Sequence, residues 1–275
     1  MSTVLVTGAN AGIGRAAALA LADMGWTVLA ACRNEEKAAR TAEELRAASG
    51  NGEVTPVVVE LGDLASVKEC ADRLLSDGRP LDVLLNNAGV GGQRGQTRDG
   101  FELAFGVNHV GPFLLTTSVL PLLEKSPAAR VVTVASDEHK RASGIDWEAV
   151  RRPTRSFTGL PEYAVSKLAN VLFSAELGRR CDGSGVTTYS VHPGAVATDI
   201  YRRVPAPLRA VIKLAMRSPE KGADTSVWCS TSGDVAGRTG RYYQDRKETE
   251  PSKAVTPELA AELWQRSEEW TAAFR

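Results

Sequence analysis

A chain of 275 residues, 43% hydrophobic and 24% charged, has the composition of a soluble globular protein and enough length to bury a large core. Its 33 Lys and Arg balance 33 Asp and Glu, so no general field is available to hold nucleic acid or an anionic membrane. The four cysteines, Cys32, Cys70, Cys181 and Cys229, are too scattered for a zinc or redox motif, and the expectation is a reduced, cytoplasmic protein without a bound metal. No basic leader precedes a long apolar stretch and no apolar run reads as long enough to cross a bilayer, so neither a signal peptide nor a transmembrane segment is expected.

Taken in chain order, short β-branched runs alternate with longer amphipathic ones. Residues 3–7 (TVLVT), 27–31 (TVLAA), 54–59 (VTPVVV), 82–85 (DVLL) and 130–134 (RVVTV) are predicted as buried strands, several of them continuous apolar runs that suit a parallel sheet covered on both faces. Between them, residues 13–24, 35–48, 64–76 and 97–123 carry apolar positions at helical spacing. A helix at 161–181, a strand at 186–191, a helix at 220–230, a short strand at 240–243 and a terminal helix within 256–274 complete the series. The last helix opens on Thr256-Pro257-Glu258, a cap followed by proline at the first helical position. Strand and helix in repetition predict a doubly wound, Rossmann-type α/β sheet of about seven parallel strands, with residues 1–275 forming one domain. Two stretches break the rhythm, near 137–160 and 194–217, and read as substrate-loop insertions.

Directly after the first strand comes Gly8-Ala9-Asn10-Ala11-Gly12-Ile13-Gly14 and then a helix. Glycines let such a turn bend tightly and let backbone N–H groups approach a pyrophosphate, while the helix N-terminus adds partial positive charge. Gly8, Asn10, Ala11, Gly12, Ile13 and Gly14 are therefore candidate cofactor contacts. The second strand runs out into Cys32-Arg33-Asn34, with no carboxylate to accept from a ribose hydroxyl before Glu35. The forked donors of Arg33 suit a 2′-phosphate instead, so NADP(H) is the expected cofactor.

The fourth strand leaves through Asn86-Asn87-Ala88-Gly89, small residues against which a flat ring can lie, and the fifth ends Val134-Ala135-Ser136. The helix that follows carries Tyr163 and Lys167, whose four-residue spacing puts them on one face. An ammonium beside a phenol favours the phenolate, which equips Tyr163 to give or take a proton near neutrality.

Together and in this order, TGANAGIG, NNAG, the strand ending in Ser136, YAVSK and His192-Pro193-Gly194 resemble the short-chain dehydrogenase/reductase family along the whole chain. Ala31-Cys32-Arg33-Asn34, Gly106-Val107-Asn108-His109, the long Ser-to-Tyr segment, Arg241-Tyr242-Tyr243 and Glu250-Pro251-Ser252 are similar to its retinol-dehydrogenase-like branch, with the WW-domain oxidoreductase and protochlorophyllide reductase. The resemblance implies Tyr163 as acid or base, Lys167 as its tuning amine and ribose contact, and Ser136 as hydrogen-bond partner of the substrate oxygen. Asn108 would anchor a water joining Lys167 to solvent. Asn87, Ala88 and Gly89 would pack along the cofactor, Glu60 and Leu61 lie at the adenine, and Val196 and Thr198 meet the carboxamide. Glu60 and Ala135 depart from the Asp and Ser that the family commonly has there. His192 reads as structural.

The expected reaction is interconversion of a carbonyl and an alcohol on a small molecule. Reduction of a conjugated C=C bond and a catalytically silent NADP(H)-binding protein are the alternatives. Phe157, Leu160, Tyr201, Val204 and Leu208 point to an apolar, fairly bulky guest, and the two long helices at 97–123 and 161–181 are candidates for pairing subunits into a dimer or tetramer.

Overall fold

A computed structural model describes residues 1–50, 52–195 and 217–275. Its strands are β1 (Thr3–Thr7), β2 (Thr27–Cys32), β3 (Val54–Val58), β4 (Val83–Asn86), β5 (Arg130–Val134), β6 (Thr187–His192), β7 (Arg241–Gln244) and β8 (Lys247–Glu248). The helices are α1 (Gly12–Asp23), α2 (Glu35–Ser49), α3 (Leu64–Asp77), α4 (Leu103–Leu123), α5 (Leu160–Arg180), α6 (Pro219–Thr231) and α7 (Pro257–Thr271). One sheet contains all eight strands in the order β3-β2-β1-β4-β5-β6-β7-β8. The first seven are parallel, as predicted, and β8 adds a short antiparallel edge strand beside β7. Asp245 and Arg246 make that turn with φ of 51° and 58°. Two charged residues on an edge carry no β periodicity, so this strand has no sequence signal.

Alternation along the strands divides the core between two faces. Leu5, Leu29, Leu84 and Val131 point to the side covered by Val67 of α3, Phe113 of α4, Leu172 of α5 and Trp264 of α7. Val4, Val6, Val28, Leu85 and Val132 point to the other, against Ala17 and Leu21 of α1, Leu45 of α2 and Cys229 of α6. Each fully buried aliphatic side chain of this kind contributes about 1.5–3 kcal/mol. β3 is the exception to the predicted burial, with Thr55 and Pro56 exposed, because it is the outer strand and Pro56 can sit there without a lost ladder bond.

Helix α4 starts six residues later than predicted. Gly100 takes φ +79°, Thr97 Oγ1 accepts from the N–H of Phe101, and Asp99 accepts from the N–H of Leu64 at the start of α3. Residues 97–102 are thus committed to turn and cap contacts. Within α4, Gly106–Val110 form a π-helical turn. By length and composition α4 could cross a membrane, which corrects the expectation that no segment was long and apolar enough; 72% of its most apolar window is buried inside the fold, where it serves as a core helix.

The order reverses at β1, which lies between β2 and β4, so a crevice opens at the carboxyl ends of β1 and β4. The predicted segments after β1, β2, β3, β4 and β5 leave the sheet at that edge.

Candidate active site

Helix α1 starts without a side-chain cap, as does α5 at Gly159, but α5 carries Glu162 in its first turn and α1 has no acidic residue there. Asn34, Asp63, Ser218 and Thr256 cap α2, α3, α6 and α7 with their side chains, whereas Ala11 offers α1 no side-chain acceptor and its first turn has no acidic residue. The unpaired N–H groups and positive end of that helix suit an anion. Around it the backbone is packed too closely for side chains. A Cβ on Gly8, at φ +69°, would stand 3.0 Å from Cα of Ala88, and one on Gly14 would overlap the Gly8 carbonyl and the Asn87 amide. Gly12 has φ +54° and open space around it, while Asn10 and Ala11 are exposed and Ile13 is buried. This bare cradle fits a dinucleotide pyrophosphate.

Thr7, to which the sequence assigned no role, joins this loop to the exit of β4. Its hydroxyl accepts from the N–H groups of Asn87 and Ala88, both at 3.0 Å, and Asn87 Nδ2 returns a bond to the Thr7 carbonyl at 2.8 Å. Arg33 follows β2 at the same edge, exposed and without an ion-pair partner among the described residues. Glu60 and Leu61 follow β3. The Glu60 carboxylate folds back onto the N–H of Gly62 at 3.1 Å, and Leu61 is buried with its carbonyl against Gly111.

Beyond the exits of β4 and β5, Asn108, Tyr163 and Lys167 come together. Lys167 is wholly enclosed, its Nζ donates to the Val134 carbonyl at 2.8 Å, and it lies 5.6 Å from the ring centre of Tyr163. Burial pulls the amine below its ordinary value, down to about 7. Asn170, one turn on, donates to the same Val134 carbonyl at 3.1 Å. Asn108, in the π turn of α4, accepts from the N–H of Val90 at 2.7 Å and donates to the Val90 carbonyl at 2.9 Å and to Ser166 Oγ at 2.8 Å. Ser166 in turn donates to the carbonyl of Tyr163. Gly89 sits between the two groups, since a Cβ there would be 3.0 Å from Asn108 Oδ1 and 3.6 Å from Lys167 Nζ.

Ser136 lies two residues beyond Val134 in extended backbone, and its Oγ accepts from the N–H of Glu138 at the head of a 3₁₀ turn, Asp137–Arg141. His192 accepts from the N–H of Asp137 at 3.2 Å, in keeping with a structural part. Thr7, Ser166 and Asn170 were missed; the last two stand three residues beyond Tyr163 and Lys167, a helix-face relation that the sequence did contain. Val196 and Thr198, with Tyr201, Val204 and Leu208, lie outside the described residues. Two cavities border the 137–160 segment, one against Glu102 and Glu162 and one against Arg141, Leu160 and Ala164; neither is lined by Ser136, Tyr163 or Lys167.

A parallel sheet with a bare glycine turn at its switch point, and a Tyr–Lys pair at the end of the fifth strand, defines a dinucleotide-dependent oxidoreductase. The model of the short chain dehydrogenase family matches residues 2–148, and the chain belongs to the short-chain dehydrogenase/reductase family. Within it the chain falls in the retinol-dehydrogenase-like branch. It is 41% identical over 272 residues to Dehydrogenase/reductase SDR family member 13 of Homo sapiens, covering 96% of this chain and 72% of that one. It is 37% identical over 275 residues to Retinol dehydrogenase 13 of Homo sapiens, covering 96% and 83%. Among solved structures, an uncharacterized protein from Mycobacterium paratuberculosis superposes with a TM-score of 0.80 at 31% identity, over 99% of this chain and 94% of the other.

Proposed function

We propose that the chain interconverts a carbonyl and an alcohol on a fairly apolar small molecule, with NADP(H) as cofactor and Tyr163 as the proton carrier. The observation that carries this is the enclosed Lys167 amine, tied to the end of β5 and set beside the Tyr163 ring. When bound, the nicotinamide gives or takes the hydride. Tyr163 delivers a proton to the substrate oxygen in reduction and removes it in oxidation. Lys167, poised to change protonation near neutrality, sustains that exchange and binds the ribose. Ser136 hydrogen-bonds the same oxygen and steadies its developing charge. Asn108 fixes the backbone at Val90 and anchors the water path behind Lys167. The glycine cradle and α1 hold the pyrophosphate, Arg33 the 2′-phosphate, Leu61 and Glu60 border the adenine, Asn87 to Gly89 line the ring, and Val196 and Thr198 meet the carboxamide.

Exposed Phe157 and Leu160, just ahead of Tyr163, support an apolar guest, and the similarity to a retinol dehydrogenase puts retinol first in a substrate panel. Four free, buried cysteines accord with a reducing, cytoplasmic setting. A dimer or tetramer built on α4 and α5 would have to include α7, because Trp264 lies on Phe173 and stands edge-on to Phe113 at 5.0 Å. The deciding experiment follows NADPH and NADH oxidation against a carbonyl panel, with products identified to separate C=O from C=C reduction. Tyr163→Phe is expected to abolish turnover while NADPH still binds, and full activity in that variant would remove the mechanism.

A further inference from the structure

Two sequence signatures take no part in the site as built so far, Arg241-Tyr242-Tyr243 and Glu250-Pro251-Ser252. Both converge on His139. Its side chain has no exposed surface, Nδ1 lies 2.6 Å from the Ser136 carbonyl oxygen, and Nε2 accepts from the N–H of Ser252 at 2.9 Å. The backbone N–H of His139 reaches the same Ser136 carbonyl at 3.1 Å. Tyr242 stands edge-on to the imidazole at 4.9 Å and donates its hydroxyl to Asp137 at 3.1 Å.

The partners dictate the tautomer. A backbone N–H can only donate, so Nε2 facing Ser252 must be the bare nitrogen, and the ring proton sits on Nδ1 and is donated to Ser136. A doubly protonated ring would turn a second N–H against that of Ser252. Burial acts in the same direction and holds the imidazole below its ordinary range. The result is a neutral ring bonded at both ends. With two donors on one carbonyl, the peptide plane after Ser136 is fixed, and with it the direction in which the Ser136 side chain leaves the strand.

We propose that His139 is a positioning residue for Ser136, a neutral imidazole that ties the Ser136 peptide to the C-terminal segment at Ser252 and so aims the Ser136 hydroxyl at the substrate oxygen. This rests on the assignment of Ser136 as hydrogen-bond partner of that oxygen. Tyr242 and Ser252 are the outer supports of the same strut, which explains why the Arg241-Tyr242-Tyr243 and Glu250-Pro251-Ser252 segments sit where they do. A group misplaced by an ångström can lose on the order of a hundredfold in rate, so a strut without contact to substrate can still govern turnover.

His139→Phe keeps a ring against Tyr242 and removes both hydrogen bonds. It is expected to lower kcat about tenfold or more, with KM for NADPH moved by less than about twofold. In a Ser136→Ala background the same substitution is expected to change kcat by less than about twofold, because its effect passes through Ser136. His139→Asn, whose amide can still donate to the Ser136 carbonyl, is expected to recover part of the loss. Losses that multiply in the double variant, or an unchanged kcat in His139→Phe, would overturn the proposal. A Ser136→Ala enzyme with unaltered kcat would overturn it differently, by removing the role of Ser136 itself. Should the variants not fold, nitrogen NMR on the unaltered protein decides: with only three histidines to assign, His139 must show a neutral ring protonated on Nδ1 near neutral pH, and a proton on Nε2 refutes the strut.

Discussion

The amino group of Lys167 is held 2.8 Å from the carbonyl oxygen of Val134, two residues before Ser136, on a buried side chain. That bond joins α5 to the end of β5 and brings the carriers of the proposed chemistry to one point. It also places an ionisable group where charge is costly. An unfolded lysine keeps its proton to about 10.5, while the folded one releases it at about 7. Between those values the unfolded chain binds more protons, so this residue makes stability climb with pH; below the lower value the full penalty remains. Without nucleotide, Lys167→Met is therefore expected to melt higher than the parent near pH 6, with the gap closing toward pH 9, and to lose turnover. Parallel melting curves for the two proteins across that range would refute the enclosed-amine account.

In the phosphate turn Gly12 and Gly14 are each required for a single, different reason, whereas Gly8 combines both. At Gly14 the obstacle is space, because a methyl group would overlap the Asn87 amide and the Gly8 carbonyl. At Gly12 it is backbone conformation, φ +54° with nothing nearby. Gly14→Ala is expected to lose about 1–3 kcal/mol of stability and most NADPH affinity as the loop is pushed off Asn87. Gly12→Ala should cost about 1–2 kcal/mol through left-handed strain while leaving the Thr7–Asn87 lock in place. Denaturant melts and NADPH fluorescence titrations on both variants check this; equal loss of affinity would mean that the turn, and not its packing on Asn87, sets the cradle.

How far the sequence could be read depended on the range of the interactions. Apolar strands and capped helices are written locally, so Thr256, read as a cap, marks a real helix start, and Tyr163 and Lys167 share a face by spacing alone. The failures are tertiary. The helix predicted from residue 97 lost its first turn to Gly100 and to Asp99 capping a different helix, 35 residues away in the chain. The π turn that turns Asn108 toward Val90 and Ser166 has no periodic signal, and β8 pairs because a two-residue turn folds it back, not because Lys247 and Glu248 favour strands. Thr7 reads as one more strand residue until Asn87, 80 positions on, is seen bound to it.

Arg33 stands exposed at the exit of β2, and among the described residues its guanidinium has no ion-pair partner that its loss would disturb. Arg33→Asp is thus expected to weaken NADPH binding about 10- to 100-fold, the worth of charge-assisted bonds to a phosphate, and to improve NADH relative to NADPH. Stability should move by no more than about 0.5 kcal/mol. Steady-state KM values for both nucleotides give the answer, and an unchanged preference places the phosphate contact on another residue.

The long connection of residues 137–160 is pinned to α4 by a buried carboxylate. Glu102 is 2% exposed; one of its oxygens accepts from the N–H of Phe105 at 2.9 Å and the other is bonded by the Thr154 hydroxyl. Thr154 also bridges the backbone of Gly95 at 3.1 Å, and the N–H of Glu102 donates to the Val150 carbonyl at 2.8 Å. Burial pushes the Glu102 carboxyl above its ordinary value, against the bonds from Thr154 and Phe105 that oppose the shift. The folded chain then holds this proton more tightly than the unfolded one. Its contribution is complete below the unfolded value of 4.5 and is lost as pH rises through the folded one. An amide at this position satisfies every partner, donating to Thr154 while Thr154 turns its own proton to Gly95, and it carries no charge to desolvate. Glu102→Gln is accordingly expected to match or exceed the parent in melting temperature at pH 8, with no advantage at pH 4. Thr154→Val leaves the carboxylate short of a partner and should cost about 1–3 kcal/mol at pH 8, less in acid. Denaturant unfolding of both variants at the two pH values is the check, and a Thr154→Val deficit that does not depend on pH would show that the contact matters for packing alone.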